Sequence, residues 1–232
     1  MAAELAAAVA AFEADDELRV LILTGGGGTF CAGADLTSMH DPDLRNEVTS
    51  DGSGSGPMGP SRLHITKPVI AAIEGHAVAG GLELALLADL RVIASDAVLG
   101  VFCRRFGVPL IDGGTARLPR IIGLGRALDL ILTGRPVTAD EALSMGLATQ
   151  VVSPGSALAA ATELAHTLAA FPQGCMVADR AATYAGLDQP LAEALRAEGS
   201  GGAPIVAREG LSGALRFAQG AGRHGSFDAR QR

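Results

Sequence analysis

Tryptophan is absent from the 232 residues, tyrosine occurs once, and aromatic residues make up only 3% of the chain. Surfaces that bind single-stranded nucleic acid stack bases on aromatic side chains, so that class of partner is not expected. Basic residues are the minority, 18 Lys and Arg against 25 Asp and Glu. They are scattered rather than gathered into a stripe, which removes the electrostatic footprint of a nucleic-acid binder. Cysteine is sparse as well. Cys31, Cys103 and Cys175 are far apart and match no zinc or redox spacing, so no metal site is expected and a reducing, cytoplasmic setting fits. No uncharged apolar run approaches the ~18 residues needed to cross a bilayer. The N-terminus carries Glu4, Glu13, Asp15 and Asp16 where a signal peptide would be basic, so neither membrane insertion nor secretion is expected.

What is present is apolar and small: 48% of the residues are hydrophobic, enough for a substantial core. Leu5, Val9 and Phe12 recur at helical spacing, predicting an amphipathic helix over residues 2–14. Arg19–Thr24 and Pro68–Ile73 are short, β-branched-rich runs that read as strands buried on both faces. Gly25–Gly28 follow the first strand, but Phe30 stands where a dinucleotide fingerprint needs its last glycine, so a loose turn is expected there. Residues 40–62 are rich in Asp, Ser, Gly and Pro, predicting a mobile loop that serves either as a binding loop or as an insertion. Further strands are expected at Leu90–Ala94, Ala97–Gly100 and Thr149–Val152. Helices are expected at Leu128–Leu132 and Thr138–Met145, the latter capped by Thr138 with Glu141 three residues on. From residue 153 onward Ala, Leu and charged residues dominate, predicting helices alone.

The stretch Gly75–Asp89 concentrates the chemistry. A strand reaches the Gly80-Gly81 pair and turns into a helix whose first N–H groups have no partner inside it. Glu83 lies in that first turn, where it is either a dipole-favoured residue or a proton-transfer group. Asp112, before Gly113-Gly114-Thr115, is likewise either a turn residue or an acid. Asp35 reads as a helix cap, His76 as structural, Arg104 and Arg105 as a solvated pair, and Cys103 as a buried thiol.

Four segments together resemble the crotonase family, the enoyl-CoA hydratases and isomerases. They are Phe30-Cys-Ala-Gly-Ala-Asp-Leu36, Gly75-His-Ala-Val-Ala-Gly-Gly-Leu-Glu-Leu84, Gly113-Gly-Thr-Ala-Arg-Leu-Pro119 and Leu132–Ala148. The resemblance implies an α/β, crotonase-like fold of stacked β-β-α turns over residues 1–152. It further implies a C-terminal helical region, 153–232, packing on the core and between subunits of a homotrimer or hexamer. It implies an acyl-CoA thioester substrate, coenzyme A being part of that substrate and no separate cofactor being needed. The thioester oxygen would sit between the N–H groups of Ala34 and Gly80, with Ala32, Ala34, Asp35, Leu36 and Gly80 binding substrate and Glu83 moving a proton. At the family's second glutamate position this sequence has Cys103, so Asp112 is the expected partner of Glu83; double-bond isomerisation needs fewer groups than hydration, while hydration is the family's commonest activity, and both are carried forward. A CoA-binding or assembly protein without catalysis is the alternative. Family members begin with a β-hairpin and an Asn-Arg-Pro-rich loop. This sequence starts at the helix after it, so either a longer natural protein or a shortened family member is expected, the former being preferred.

Overall fold

The computed structural model describes residues 1–222 and divides them into two units, the first running from Met1 to Leu168 and the second beginning at Ala169. The first unit opens with α1 (Ala2–Ala14), which buries Val9 and Phe12. Lys67 fastens that helix to the sheet by donating to the carbonyls of Phe12, at 2.9 Å, and Asp15, at 2.7 Å. Strands β1 (Leu21–Thr24), β2 (Val69–Ile73), β4 (Leu90–Ala94) and β7 (Gln150–Val152) form a four-stranded parallel sheet in the order β1-β2-β4-β7. Strands β3 (His76–Val78), β5 (Val98–Gly100) and β6 (Val137–Thr138) form a second sheet, β3 parallel and β6 antiparallel to β5.

The two sheets arise from one repeated step. Strand β2 is followed within three residues by β3 and then by α2 (Gly80–Leu87); β4 is followed by β5 and then by a 3₁₀ turn at Phe102–Phe106. Each step contributes one strand to each sheet, which is the stacked β-β-α arrangement expected from the motifs.

The continuous apolar run of β2 is explained by its position between β1 and β4, with both faces covered. Val69, Ala71 and Ile73 face the main core with Leu82, Ile93, Leu99 and Leu118. Ile70 and Ala72 face a second cluster with Val92 and with Ala157 and Ala161 of α6 (Ala157–Ala170). The first strand departs from expectation. Leu21–Leu23 are only half-buried and Thr24 is exposed, because β1 lies at the end of the strand order. The first unit extends through most of α6, which packs beneath β2 and β4.

The remaining helices of the first unit are α3 (Gly114–Ile122), α4 (Leu124–Thr133) and α5 (Ala139–Ser144); the Thr138 hydroxyl caps α5 by accepting from the Glu141 N–H. The second unit contains α7 (Gln173–Gly186), α8 (Leu191–Ile205) and α9 (Leu211–Ala218), with a π-helical turn at Val206–Gly210 between the last two. The all-helical expectation thus holds for the described residues; residues 223–232 of that expected region lie outside them.

Arg91 of β4 is almost fully buried, 5% exposed, yet it is a strand residue in the middle of the core. Its guanidinium donates to the carbonyls of Leu147 and Ala88, both at 2.6 Å, so it joins the end of α2 to the turn that leads into β7. Replacing Arg91 with Met removes these donors and leaves buried carbonyls unpaired. The expected cost is about 2–4 kcal/mol, read as a lower urea midpoint at unchanged slope.

Candidate active site

The site forms where two chain segments meet at the start of α2. Ala79, the residue before the helix, has φ +53° and ψ −127°, a conformation that a side-chain-bearing residue rarely adopts. It is held there by its own N–H, which donates to the Gly100 carbonyl at 2.9 Å, and by its carbonyl, which accepts from the Glu83 N–H at 3.2 Å. Strain of this kind persists only where the surroundings over-determine it. Here it reverses the chain between β3 and α2 and leaves the Gly80 N–H without a hydrogen-bond partner among the described residues.

The second segment, Phe30–Ala34, lies alongside β3. Phe30 N–H donates to the Glu74 carbonyl at 2.8 Å, Cys31 N–H to that of His76 at 2.9 Å, and Val78 N–H returns to that of Cys31 at 3.1 Å. Glycine is required at this approach. A Cβ on Gly33 would stand 3.0 Å from the Gly80 nitrogen, and one on Gly81 would overlap the Cys31 carbonyl oxygen. The Ala34 N–H also has no hydrogen-bond partner among the described residues.

Both segments border a cavity of about 230 Å³, lined in part by Ala32, Ala34, Leu36, Gly80, Glu83 and Asp112. Phe102, Cys103, Phe106, Met58 and Pro57 add to its walls, and the lining is mostly apolar.

Glu83, one of two buried acids lining this cavity, is 2% exposed. Its Oε1 accepts two backbone N–H groups, from Asp112 at 2.9 Å and from Gly114 at 2.8 Å. Burial is the main influence on its acidity and pushes the carboxyl up to about 7. The Gly114 and Asp112 amides pull in the other direction, while the Asp112 charge pushes further up. Position 114 must be glycine, because a Cβ there would lie 2.9 Å from Oε1 and 3.0 Å from Cγ of Glu83.

Asp112, buried at 3% exposure, uses its own carboxylate in the opposite direction. Its Oδ1 accepts the Met58 N–H at 2.9 Å and the Ser61 hydroxyl. Arg62 and Arg117 tighten the same junction, Arg62 donating to the Ile111 carbonyl and Arg117 to that of Ser61, both at 2.7 Å. The expected mobile loop is therefore anchored in its second half. Pro57, Gly59, Pro60 and Ser61 are all buried, because the carboxylate and the two guanidinium groups give that stretch fixed partners. The sequence reading missed Met58 and Ser61. The signal was the break in the Gly-Ser run at Pro57-Met58-Gly59-Pro60, which carries apolar bulk in an otherwise polar loop.

The remaining candidates separate cleanly. Cys103 is buried in the cavity wall, and burial, followed by the neighbouring Glu83 charge, pushes its thiol up, so it stays protonated. Asp35 is exposed; its carboxylate caps the 3₁₀ turn Leu36–Ser38 through Thr37 and Ser38 and does not line the cavity. His76 is exposed and outside the cavity. Arg104 and Arg105 are exposed, as expected of a solvated pair, and also donate to the carbonyls of Ile131 and Gly134 at the end of α4. Gly25–Gly28 form the expected turn, with Gly27 and Gly28 at positive φ. Among the described residues no group of His, Cys, Asp and Glu is arranged to hold a metal ion, and no helix is long and apolar enough to cross a membrane.

Comparison with known proteins agrees with this architecture. The sequence model of the family described as Enoyl-CoA hydratase/isomerase matches residues 1–203. Enoyl-CoA hydratase EchA19 of Mycobacterium tuberculosis is 41% identical over 163 residues, which span 67% of this chain and 59% of that protein. Carnitinyl-CoA dehydratase of Salmonella arizonae is 35% identical over 214 residues, 90% of this chain and 81% of that one. The crystal structure of enoyl-CoA hydratase EchA1 from Mycobacterium marinum superimposes with a TM-score of 0.85 at 35% identity, covering 94% of this chain and 84% of the other. With stacked β-β-α turns, the two glycine-lined segments and a family model matching residues 1–203, the chain belongs to the enoyl-CoA hydratase/isomerase family, the crotonases.

Proposed function

We propose that the protein processes acyl-CoA thioesters, stabilising a thioester enolate between the N–H groups of Ala34 and Gly80 while Glu83 moves a proton at the α- or γ-carbon. One observation carries this reading: two backbone amides without a partner among the described residues and a buried carboxyl with a pKa of about 7 border the same apolar cavity. A thioester becomes acidic at its α-carbon only when the enolate oxygen is stabilised, and preorganised amide donors supply that stabilisation without reorganising during reaction. A carboxyl with a pKa near ambient pH can both accept and return the proton. Ala32 and Leu36 would contact the substrate through the cavity wall and Asp35 through its backbone, its side chain being committed to the cap. Coenzyme A enters as part of the substrate, and the chemistry requires no resident cofactor.

Double-bond isomerisation is the favoured outcome. It needs one proton-moving group, and Cys103, which lines the same cavity and feels the Glu83 charge, carries a thiol that cannot hold an attacking water as a carboxylate does. Hydration is the second reading, favoured by Asp112, which lines the same cavity and would be the second acid/base.

Self-assembly into a homotrimer or hexamer belongs to the same proposal. None of α7, α8 and α9 contains a buried residue, while Leu187, Leu191, Leu195, Leu211, Leu215 and Phe217 are exposed. A helical unit without a core of its own is stabilised when such residues are covered by further copies. The cysteines are free thiols, which fits a cytoplasmic location.

Glu83→Gln keeps an acceptor for the Asp112 and Gly114 amides but cannot carry the proton. With a panel of enoyl-CoA thioesters in heavy water, turnover and deuterium incorporation should fall about 10²–10⁴-fold. Unchanged turnover in that variant sinks the assignment, and tight thioester binding without any turnover by the natural protein favours the non-catalytic alternative.

The pH dependence follows from the raised carboxyl, whose ordinary value is 4.5 and whose folded value is about 7. Activity that begins with proton removal should rise with pH and level off above that value. Stability runs the other way. Between the two values the folded state binds more protons than the unfolded chain, so this contribution is complete below 4.5 and lost as pH rises through about 7. Glu83→Gln should therefore be more stable than the natural protein at pH 8, by about 1–3 kcal/mol in urea unfolding, and should show no gain at pH 4.

Sedimentation equilibrium should give the mass of a trimer or hexamer, and a monomer at micromolar concentration contradicts the assembly.

A further inference from the structure

We propose that Ser61 is a positioning residue for proton transfer, acting through Asp112 to fix both the Met58 segment beside Gly80 and the Asp112 amide against Glu83. The inference rests on the reading of Glu83 as the proton-moving group. Ser61 is fully buried and does not line the cavity, so it reaches neither substrate nor Glu83 directly. Its hydroxyl donates to Oδ1 of Asp112, the same oxygen that accepts the Met58 N–H at 2.9 Å. The backbone of Asp112 then donates to Oε1 of Glu83 at 2.9 Å. One residue is thus tied on its side chain to the loop and on its main chain to the proton-moving group.

The connection has two consequences. Met58 packs against the amide at Gly80 so closely that a Cβ on that glycine would lie 2.8 Å from its sulfur. The loop position consequently decides how much room a thioester oxygen has beside that amide. Arg117 closes the circuit by donating to the Ser61 carbonyl at 2.7 Å and to the Asp112 carbonyl at 3.1 Å, so one guanidinium bridges the two residues. Gly56 completes the packing: a Cβ there would overlap the Ser61 hydroxyl and stand 3.0 Å from Oδ1 of Asp112. Buried hydrogen bonds in such a network reinforce one another, and losing one leaves its neighbours free to shift. Reacting groups displaced by even an ångström lose much of their rate advantage while ground-state binding changes little.

The test compares the natural protein with Ser61→Ala, Ser61→Thr and Gly56→Ala. It measures kcat and KM on an enoyl-CoA that the natural protein turns over, the melting temperature, and hydrogen exchange at the Met58 amide. Ser61→Ala should lower kcat about ten- to hundredfold with KM changed less than about threefold, and should speed exchange at Met58. Ser61→Thr, which keeps the hydroxyl, should restore kcat. Gly56→Ala displaces the hydroxyl without removing it and also strains the backbone at φ +106°, so it is assayed well below its own melting temperature, where it should reproduce the kcat-selective loss. Unchanged kcat in Ser61→Ala overturns the proposal, and so does a loss that follows the melting temperature and is not restored by threonine. If the natural protein turns over no thioester, the reading of Glu83 fails, and exchange then decides the rest. Faster exchange at Met58 in Ser61→Ala supports the Ser61–Asp112 connection, and unchanged exchange overturns it.

Discussion

The arrangement of the site depends on one buried oxygen, Oε1 of Glu83, and the two amides that bond to it. Taking a carboxylate out of water is strongly unfavourable, and two N–H donors offset only part of that penalty. The balance leaves the carboxyl near 7, where it can exist in either protonation state at ambient pH. The chain around it is shaped by that demand. The amides come from the turn before α3, Gly114 has no room for a side chain, and Gly113 takes a left-handed conformation, φ +98°, to start the helix at the right place.

Close approach of backbone to backbone is the second theme. Gly33 and Gly81 allow the Phe30–Ala34 segment to lie against the start of α2, while Ala79 accepts an unfavourable φ to turn the chain there. Side chains of any size at these glycines would separate the Ala34 and Gly80 amides, so the smallness of the residues is the means by which the donors are brought to one cavity. Loop 40–62 shows the opposite behaviour along its length. Its Gly-Ser centre is exposed, whereas Pro57 and Gly59–Ser61 are buried because Asp112, Arg62 and Arg117 supply hydrogen bonds that a solvated loop would take from water.

The two units differ in what holds them. The first buries two apolar clusters on either side of β2 and fixes Arg91 among backbone carbonyls. The helices of the second leave their leucines exposed. Sequence composition alone does not separate these cases, since both stretches are rich in Ala and Leu; the difference lies in whether another element of the same unit covers the apolar face.

The local features were legible in the sequence because their causes lie within a few residues. The helix at residues 2–14, the strands of β2 and β4, the caps at Thr138 and Asp35 and the glycine-led start of α2 are each set by periodicity, by a side chain bonding to an amide two or three positions on, or by an unpaired helix N–H. Motif order carried the fold family and pointed to Ala34, Gly80, Glu83 and Asp112, all of which line one cavity. What only the tertiary structure decided involves partners far apart in the chain. The half-burial of β1 follows from its place at the end of the strand order. The anchoring of Met58 and Ser61 depends on a carboxylate more than fifty residues downstream. The carboxyl of Glu83 is raised by burial among elements that meet only after the parallel strands have stacked. Hydrogen bonds between neighbours in sequence leave a pattern in composition and spacing, whereas burial and long-range partners depend on which surfaces the folded sheets bring together.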